Sequence, residues 1–374
     1  MMALLADTDL TEDETLLAET VRGYFADFVD NAYLNGQEDT DEGYDPGRWK
    51  QLCELGWTGV NLPTHVGGGD GTLAEAGIVL RECGRAAFAS PLLRSSMAAN
   101  VLLGVDAGGR FDGVLARIAQ GTPTALVAPP DRTVAAAEVD GGYQIGGAAT
   151  VVEWLAQSEQ VVLLLPVADS ANWLCAVVAR ALLDARSIAV PSIDNERVTR
   201  LDLDGFHLAS QDAEFVEVPA ATALRALARA DLLRASSMVG GCEAVLERTV
   251  AYALERVQFG QAIGAFQAVR HHAARIAIAT DAARLACNEA LARADAGEDV
   301  TATGAVALFA AGRSYVSAVL TAAQVHGGVG TTTEHVLHHH FRRAKAMQLR
   351  SGKRAERLRE IHHALVVRHE GSLW

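Results

Sequence analysis

The chain has 374 residues, 50% of them hydrophobic and 21% charged, enough for two or three domains with large buried cores. Its formal net charge of −14 repels a phosphate backbone and argues against a nucleic-acid partner. No run of about 18 apolar residues is free of charge, so no membrane span is expected. The opening "MMALLADTDLTEDE" turns acidic at once and lacks the basic start and long apolar run of a secretory signal. Cys53, Cys83, Cys175, Cys242 and Cys287 form no C-x-x-C pair, so neither a zinc site nor a disulfide framework is indicated and the expected location is the cytoplasm.

Residues 11–30 open with a capping box, Thr11 with Glu14, and then place Leu17, Val21, Tyr24 and Phe28 at helical spacing. A second helix is expected over 45–60, between Pro46 and Gly56, then a loop over 61–71 and helices over 72–87 and 90–104. Residues 1–120 are thus expected to be all-helical. From 121 to 217 the segments are short, rich in Val and Leu, and broken by Gly, Pro and Asp, which predicts an antiparallel β domain, a small barrel or sandwich. Residues 218–374 are alanine-rich and helical, and their long amphipathic patterns predict a four-helix bundle, the first helix divided near Gly240-Gly241. The fold class is α+β, and no strand–GxGxxG–helix unit is visible.

The stretch "HGGVGTTTEH" (326–335) sets glycines between two helical patterns, where each costs about 1 kcal/mol against alanine. Such a run marks either a helix–helix corner or a place where something approaches the backbone closely. Together with "LGWTGVNLPTHVGG" (55–68), "ERVQFGQAIGAFQAV" (255–269) and "FRRAKAMQL" (341–349), it resembles the acyl-CoA dehydrogenase family, in order and across essentially the whole chain. The resemblance implies FAD as cofactor. By that analogy Gln324, Gly327, Gly328 and Gly330 touch its adenosine and diphosphate part, while Arg256, Phe259 and Gln267 reach the same FAD from a second chain. A diphosphate wants a cation and free backbone N–H groups, which fits those residue types. A site shared between chains implies an oligomer, a homodimer or dimer of dimers built through the bundle.

The implied reaction is α,β-dehydrogenation of an acyl-CoA thioester, in which a carboxylate removes the α-proton. Most members carry that glutamate just after the segment matched by "RRAKAMQLRSG" (342–352); here the position falls on Ser351. A smaller branch places it on the first bundle helix, where the count from Arg256 falls on Ala230, with Asp231 beside it. Asp231 is the candidate base, or else a solvated helix residue, since one residue turns a helix by about 100°. The family's usual flavin-facing strand motifs are replaced by "ALVAPPDRT" (125–133) and "VVEWLAQSEQ" (151–160), leaving Trp154 either beside the flavin or in the core of the β domain. These departures resemble actinobacterial α2β2 heterotetramers, several acting on steroid side chains attached to CoA, in which one chain carries the base and most substrate contacts and the other, with a degenerate middle domain, contributes mainly to the FAD site; this chain resembles the second kind. Three readings follow: a dehydrogenase active alone, a flavin-site scaffold for a partner, and a diverged member without the activity. Electron-transfer flavoprotein or oxygen would be the electron acceptor. His335 and His339 stand at chelating i,i+4 spacing, but the histidines are read as structural or surface groups and no metal is expected.

Overall fold

The computed structural model describes residues 10–105, 108–129, 133–194 and 196–370, so the start of the acidic opening, through residue 9, lies outside them. Among the described residues six α-helices come first: α1 (Glu12–Ala26), α2 (Asn31–Glu38), α3 (Pro46–Glu54), α4 (Leu73–Arg85), α5 (Leu92–Gly104) and α6 (Asp112–Ala119). The Thr11–Glu14 capping box forms as expected, each side chain accepting from the other residue's N–H, at 2.8 and 3.2 Å. The expected helix over 45–60 is shorter: α3 ends at Glu54 and Gly56 follows at φ 77°, a conformation only glycine adopts cheaply. Val21, Phe25, Leu52, Trp57 and Phe88 join these helices in one core.

Ten strands follow: β1 (Thr124–Val127), β2 (Val134–Val139), β3 (Gly142–Gly147), β4 (Thr150–Glu153), β5 (Gln160–Pro166), β6 (Asn172–Ala179), β7 (Ser187–Val190), β8 (Val198–Leu201), β9 (Phe206–Ala209) and β10 (Ala213–Pro219). They form three sheets, ordered β1-β5-β6-β10, β2-β3-β9 and β4-β8-β7, and no closed ring is traced among the described residues. The expectation of a wholly antiparallel domain fails at one pair. β1 runs parallel to β5, Thr124 opposite Gln160, because β2, β3 and β4 intervene as a crossover before the chain returns beside β1. Val161, Leu163 and Leu165 of β5 enter the core between the sheets, while Val162 and Leu164 on its other face join the helical core. That two-sided burial explains the unbroken apolar run "QVVLLLPV".

The bundle comprises α7 (Ala220–Glu255), a hairpin of β11 (Val257–Gln258) and β12 (Gln261–Ala262), then α8 (Gln267–Asp295), α9 (Thr301–His326), α10 (Leu337–Arg350) and α11 (Arg354–Glu370). The expected division of the first helix does not occur: α7 runs unbroken through Gly240 and Gly241. The glycines instead allow close packing. A Cβ on Gly240 would lie 1.8 Å from the Arg81 carbonyl oxygen of α4, and one on Gly241 would lie 2.3 Å from the Tyr315 ring of α9. Thr301–Thr331, which contains α9, is long and apolar enough to cross a membrane by length and composition, contrary to the sequence-based expectation. Half of its most apolar window is buried, and α9 packs against α7, α8 and α10, so bundle packing accounts for its apolarity.

His340 of α10 is fully buried, its Nδ1 2.8 Å from the Tyr315 hydroxyl, and burial drives its pKa well below the ordinary value. Burial also pushes His339 down to about 3. Histidines with a folded pKa below the unfolded value of about 6.5 bind fewer protons when folded, so stability is complete above that pH and falls as pH drops toward the folded pKa. Thermal melts should therefore show a falling Tm from pH 7 to pH 5. His340→Gln, which keeps an acceptor for Tyr315, should flatten that slope.

Candidate active site

Where β1 and β4 meet α5, α7, α9, the end of α10 and α11, the structure forms a cavity of about 950 Å³. Leu224, Leu227, Ala228, Asp231 and Arg234 of α7 line it at three- and four-residue spacing, one stripe of a helix. Asp231 therefore belongs to that stripe and is not a solvated residue, its side chain only 14% exposed and 3.6 Å from Arg357. Ala230 is fully buried in the helical core outside the cavity lining, so the carboxylate one position along is the one that reaches the site. Ser351 does not line the cavity. It is buried, its hydroxyl donating to the Met347 carbonyl one turn back at 2.7 Å. Arg357 links the two candidate positions, donating to the Ser351 carbonyl at 2.6 Å and facing Asp231.

Sequence reasoning missed the centre of this wall. Glu153, 5% exposed, ends β4 and is surrounded by Arg94 of α5, Arg234 of α7 at 3.7 Å and Arg350 of α10 at 3.6 Å. Arg350 is also bound to Asp194 at 2.8 Å and Ser192 at 2.6 Å, and Arg343 to Glu196 at 2.5 Å. Burial lowers the Arg94 guanidinium well below its usual range, and the positive charges of Arg234 and Arg350 push the same way. Burial likewise brings Arg234 down to about 10. The signal available in the sequence was a single arginine in each of two largely uncharged helical stretches, "PLLRSSMAANVLLG" and "LLRASSMVGG". Trp154 is not in the core of the sheets: it has φ 60°, its indole donates to Glu196, and its ring meets Tyr44, between α2 and α3, at 5.8 Å.

The residues expected to hold FAD lie at one end of the bundle. Arg256 caps α7 and has no side-chain partner among the described residues. Phe259 is 92% exposed at the tip of the hairpin, at φ 51°, and Gln267 opens α8 exposed. Gln324 is exposed on the last turn of α9. Tyr252, one turn before Arg256, stacks on His326 at 4.3 Å, bringing the two motifs together within a single chain. Gly327 has φ 64°, and a Cβ on Gly327 or Gly328 would meet nothing within 4 Å. Among the described residues, Gly328 thus has no neighbour to exclude a side chain. Gly330 differs: it is buried, and a Cβ there would press on His326 at 2.7 Å and Leu337 at 3.1 Å, so its place is packing. An unpaired guanidinium, open backbone and a bare aromatic ring fit a cofactor with a diphosphate and aromatic rings.

His335 and His339 do not converge: His335 accepts from the Leu337 N–H at 3.1 Å and its ring meets His326. Glu38, His338 and His339 do lie within 4.8 Å of one another, but the Arg342 guanidinium already sits on Glu38, and its charge opposes a cation there.

The family models described as "Acyl-CoA dehydrogenase, N-terminal domain" and "Acyl-CoA dehydrogenase, C-terminal domain" match residues 11–106 and 220–366. The acyl-CoA dehydrogenase IpdE2 of Mycobacterium tuberculosis is 31% identical over 337 residues, covering 89% of this chain and 91% of that protein. Among solved structures, the ChsE4-ChsE5 complex from Mycobacterium tuberculosis superposes with a TM-score of 0.84 at 23% identity, over 96% of this chain and 98% of the matched one. Butyryl-CoA dehydrogenase from Megasphaera elsdenii does so at 0.80 and 19% identity, over 96% and 99%. At those identities the structures speak for the fold alone. With the two family matches flanking the sheet region and a relative alike over nearly its whole length, the chain belongs to the acyl-CoA dehydrogenases, a family of FAD-dependent flavoproteins.

Proposed function

We propose that this chain is one subunit of an FAD-dependent acyl-CoA dehydrogenase, assembled with a homologous chain, in which Asp231 takes the α-proton of the thioester. The observation carrying the proposal is the placement of Asp231 in the cavity wall while Ser351 is turned onto backbone. Arg256, Phe259, Gln267, Gln324, Gly327 and Gly328 are the residues that would hold FAD, and bound FAD supplies the two-electron acceptor for the oxidation. The chain itself contributes the apolar walls that exclude water around the acyl group, the carboxylate, and Arg357, which fixes that carboxylate's orientation. Exposed Leu254, Val257, Phe259 and Ile278 give the bundle an apolar surface that a second chain would cover, and the relationship to a two-chain complex favours a heteromer.

A second reading is favoured by a specific observation: each carboxylate in the cavity wall has an arginine beside it, Glu153 with Arg94, Asp231 with Arg357 and Glu360 with Arg357. Carboxylates so engaged suit a scaffold whose partner carries the base. Purification alone and together with a homologous chain separates the readings, by flavin content and by bleaching with acyl-CoAs. Arg256→Ala is expected to reduce FAD per chain at least tenfold under both, the loss of about one charge-assisted contact to phosphate. Full flavin occupancy in that variant would remove Arg256 from the site.

A further inference from the structure

We infer that Asn31 and Asn35 of α2 are positioning residues for the cofactor, whose side-chain amides hold the glycine loop after α9 in the shape that receives FAD; the inference rests on the FAD site proposed above. Both amides converge on one atom. Asn31 Nδ2 donates to the Thr333 carbonyl at 2.9 Å, and Asn35 Nδ2 donates to the same carbonyl at 3.0 Å. The two residues stand one helical turn apart and so share a face of α2. A carbonyl oxygen has two lone pairs, and here each has its own donor. Thr331, Thr332, Thr333 and Glu334 are all exposed. The Thr331 and Thr332 hydroxyls donate to the Gly328 and Val329 carbonyls, each at 3.0 Å, which shapes the turn but ties it to nothing else. Among the described residues, the hydrogen bonds that reach 331–334 from outside the loop are those of Asn31 and Asn35.

The helix that carries them is itself fixed at its other end. Glu38 is paired with Arg342 of α10. Arg197, just before β8, donates to the Gln37, Glu38 and Asp41 carbonyls at 3.0, 3.1 and 3.3 Å, satisfying the end of α2 from the sheet region. Leu34 of the same helix is buried. α2 is thus a fixed post, and the loop is the part it restrains. The loop needs restraint. Gly327 has φ 64°, and a Cβ on Gly327 or Gly328 would meet nothing, so packing does not confine the backbone there. A loosely held segment must be ordered when its ligand binds, and ordering it beforehand raises affinity. Gly330 anchors the buried side of the loop against His326 and Leu337, and the Asn31–Asn35 pair anchors its exposed side. Between the two anchors and the end of α9, the backbone N–H groups of Gly327 and Gly328 keep one direction.

The test is fluorescence titration of FAD into the flavin-free full chain, with its partner chain if the two co-purify, for the parent and for the double variant Asn31→Ala, Asn35→Ala. The double variant is expected to raise the FAD dissociation constant about tenfold or more, the scale of two lost neutral hydrogen bonds. Amide hydrogen exchange across residues 327–335 should quicken with it. Once saturated with FAD, the variant should bind a non-reacting acyl thioester within about twofold of the parent, a result that a general loosening of the fold would not give. If the double variant does not fold, Asn35→Ala alone leaves one donor on the carbonyl and should give the same pattern with a rise of about three- to fivefold. An FAD dissociation constant within about twofold of the parent's overturns the inference, and so does thioester binding that weakens as much as FAD binding. Arg256→Ala tells the two readings apart. FAD binding that this variant weakens and the Asn31–Asn35 variant leaves untouched sinks the inference alone. FAD binding that neither variant alters removes the proposed FAD site and the inference with it.

Discussion

Replacing Glu153 by glutamine destabilises the folded chain by about 3–5 kcal/mol, near the upper limit for one substitution. Glutamine preserves shape and removes only the charge, so the loss measures what the carboxylate does for the arginines around it. Arg350 keeps Asp194 and suffers little. Arg94 and Arg234 lose their shared counterion and are left as two buried like charges, each already penalised by burial. At an effective dielectric of about 20, charges about 4 Å apart interact by roughly 4 kcal/mol, which sets the scale. Replacing Arg94 as well, in the pair Arg94→Met with Glu153→Leu, should recover much of the loss, because an apolar pair in place of a buried ion pair is often neutral. Glu360→Gln is the control: its side chain is 39% exposed, and breaking its pair with Arg357 should cost no more than about 1 kcal/mol. Thermal melts of the four proteins decide the matter. A Tm for Glu153→Gln within about 2 °C of the parent would show that the arginines do not depend on that carboxylate.

How much of this was visible in the amino-acid order depended on the range of the forces involved. The Thr11–Glu14 box acts across three residues and could be read directly. The three-part plan of helices, sheets and bundle followed from periodicity, which is also local. The parallel pairing of β1 with β5 depends on where the chain returns after three intervening strands, and no local pattern encodes that. Gly240 and Gly241 read as a break because glycine weakens an isolated helix; what keeps them in α7 is backbone and ring packing against Arg81 and Tyr315, distant in sequence. The glycine run after α9 shows both cases side by side. Gly330 is explained by His326 and Leu337 inside the chain, while Gly328 has no explanation there. Glu153 was overlooked for the same reason as the helix packing: its three arginines come from α5, α7 and α10, and only the folded chain assembles them.

Asp231→Asn should lower turnover of the assembled enzyme by about 10²- to 10⁴-fold, the range for loss of a positioned proton acceptor. The amide keeps the size of the carboxylate and an oxygen for Arg357, so the fold, the flavin absorbance and the dissociation constant for a non-reacting thioester should stay near the parent's. That separation matters, because the cavity wall is also structural, and a variant that merely loosened it would weaken binding along with turnover. Arg357 adds a second constraint. It stands 3.6 Å from Asp231 while also bound to Glu360 and the Ser351 carbonyl. If Asp231 is the base, Arg357→Met should misplace it and reduce kcat, and its effect in the Asp231→Asn background should shrink toward nothing, since two residues acting through one proton transfer are not additive. If turnover in the assembly survives Asp231→Asn, the proton goes to a carboxylate on the homologous chain. Asp231 would then serve Arg357 in a wall built to complete that partner's site.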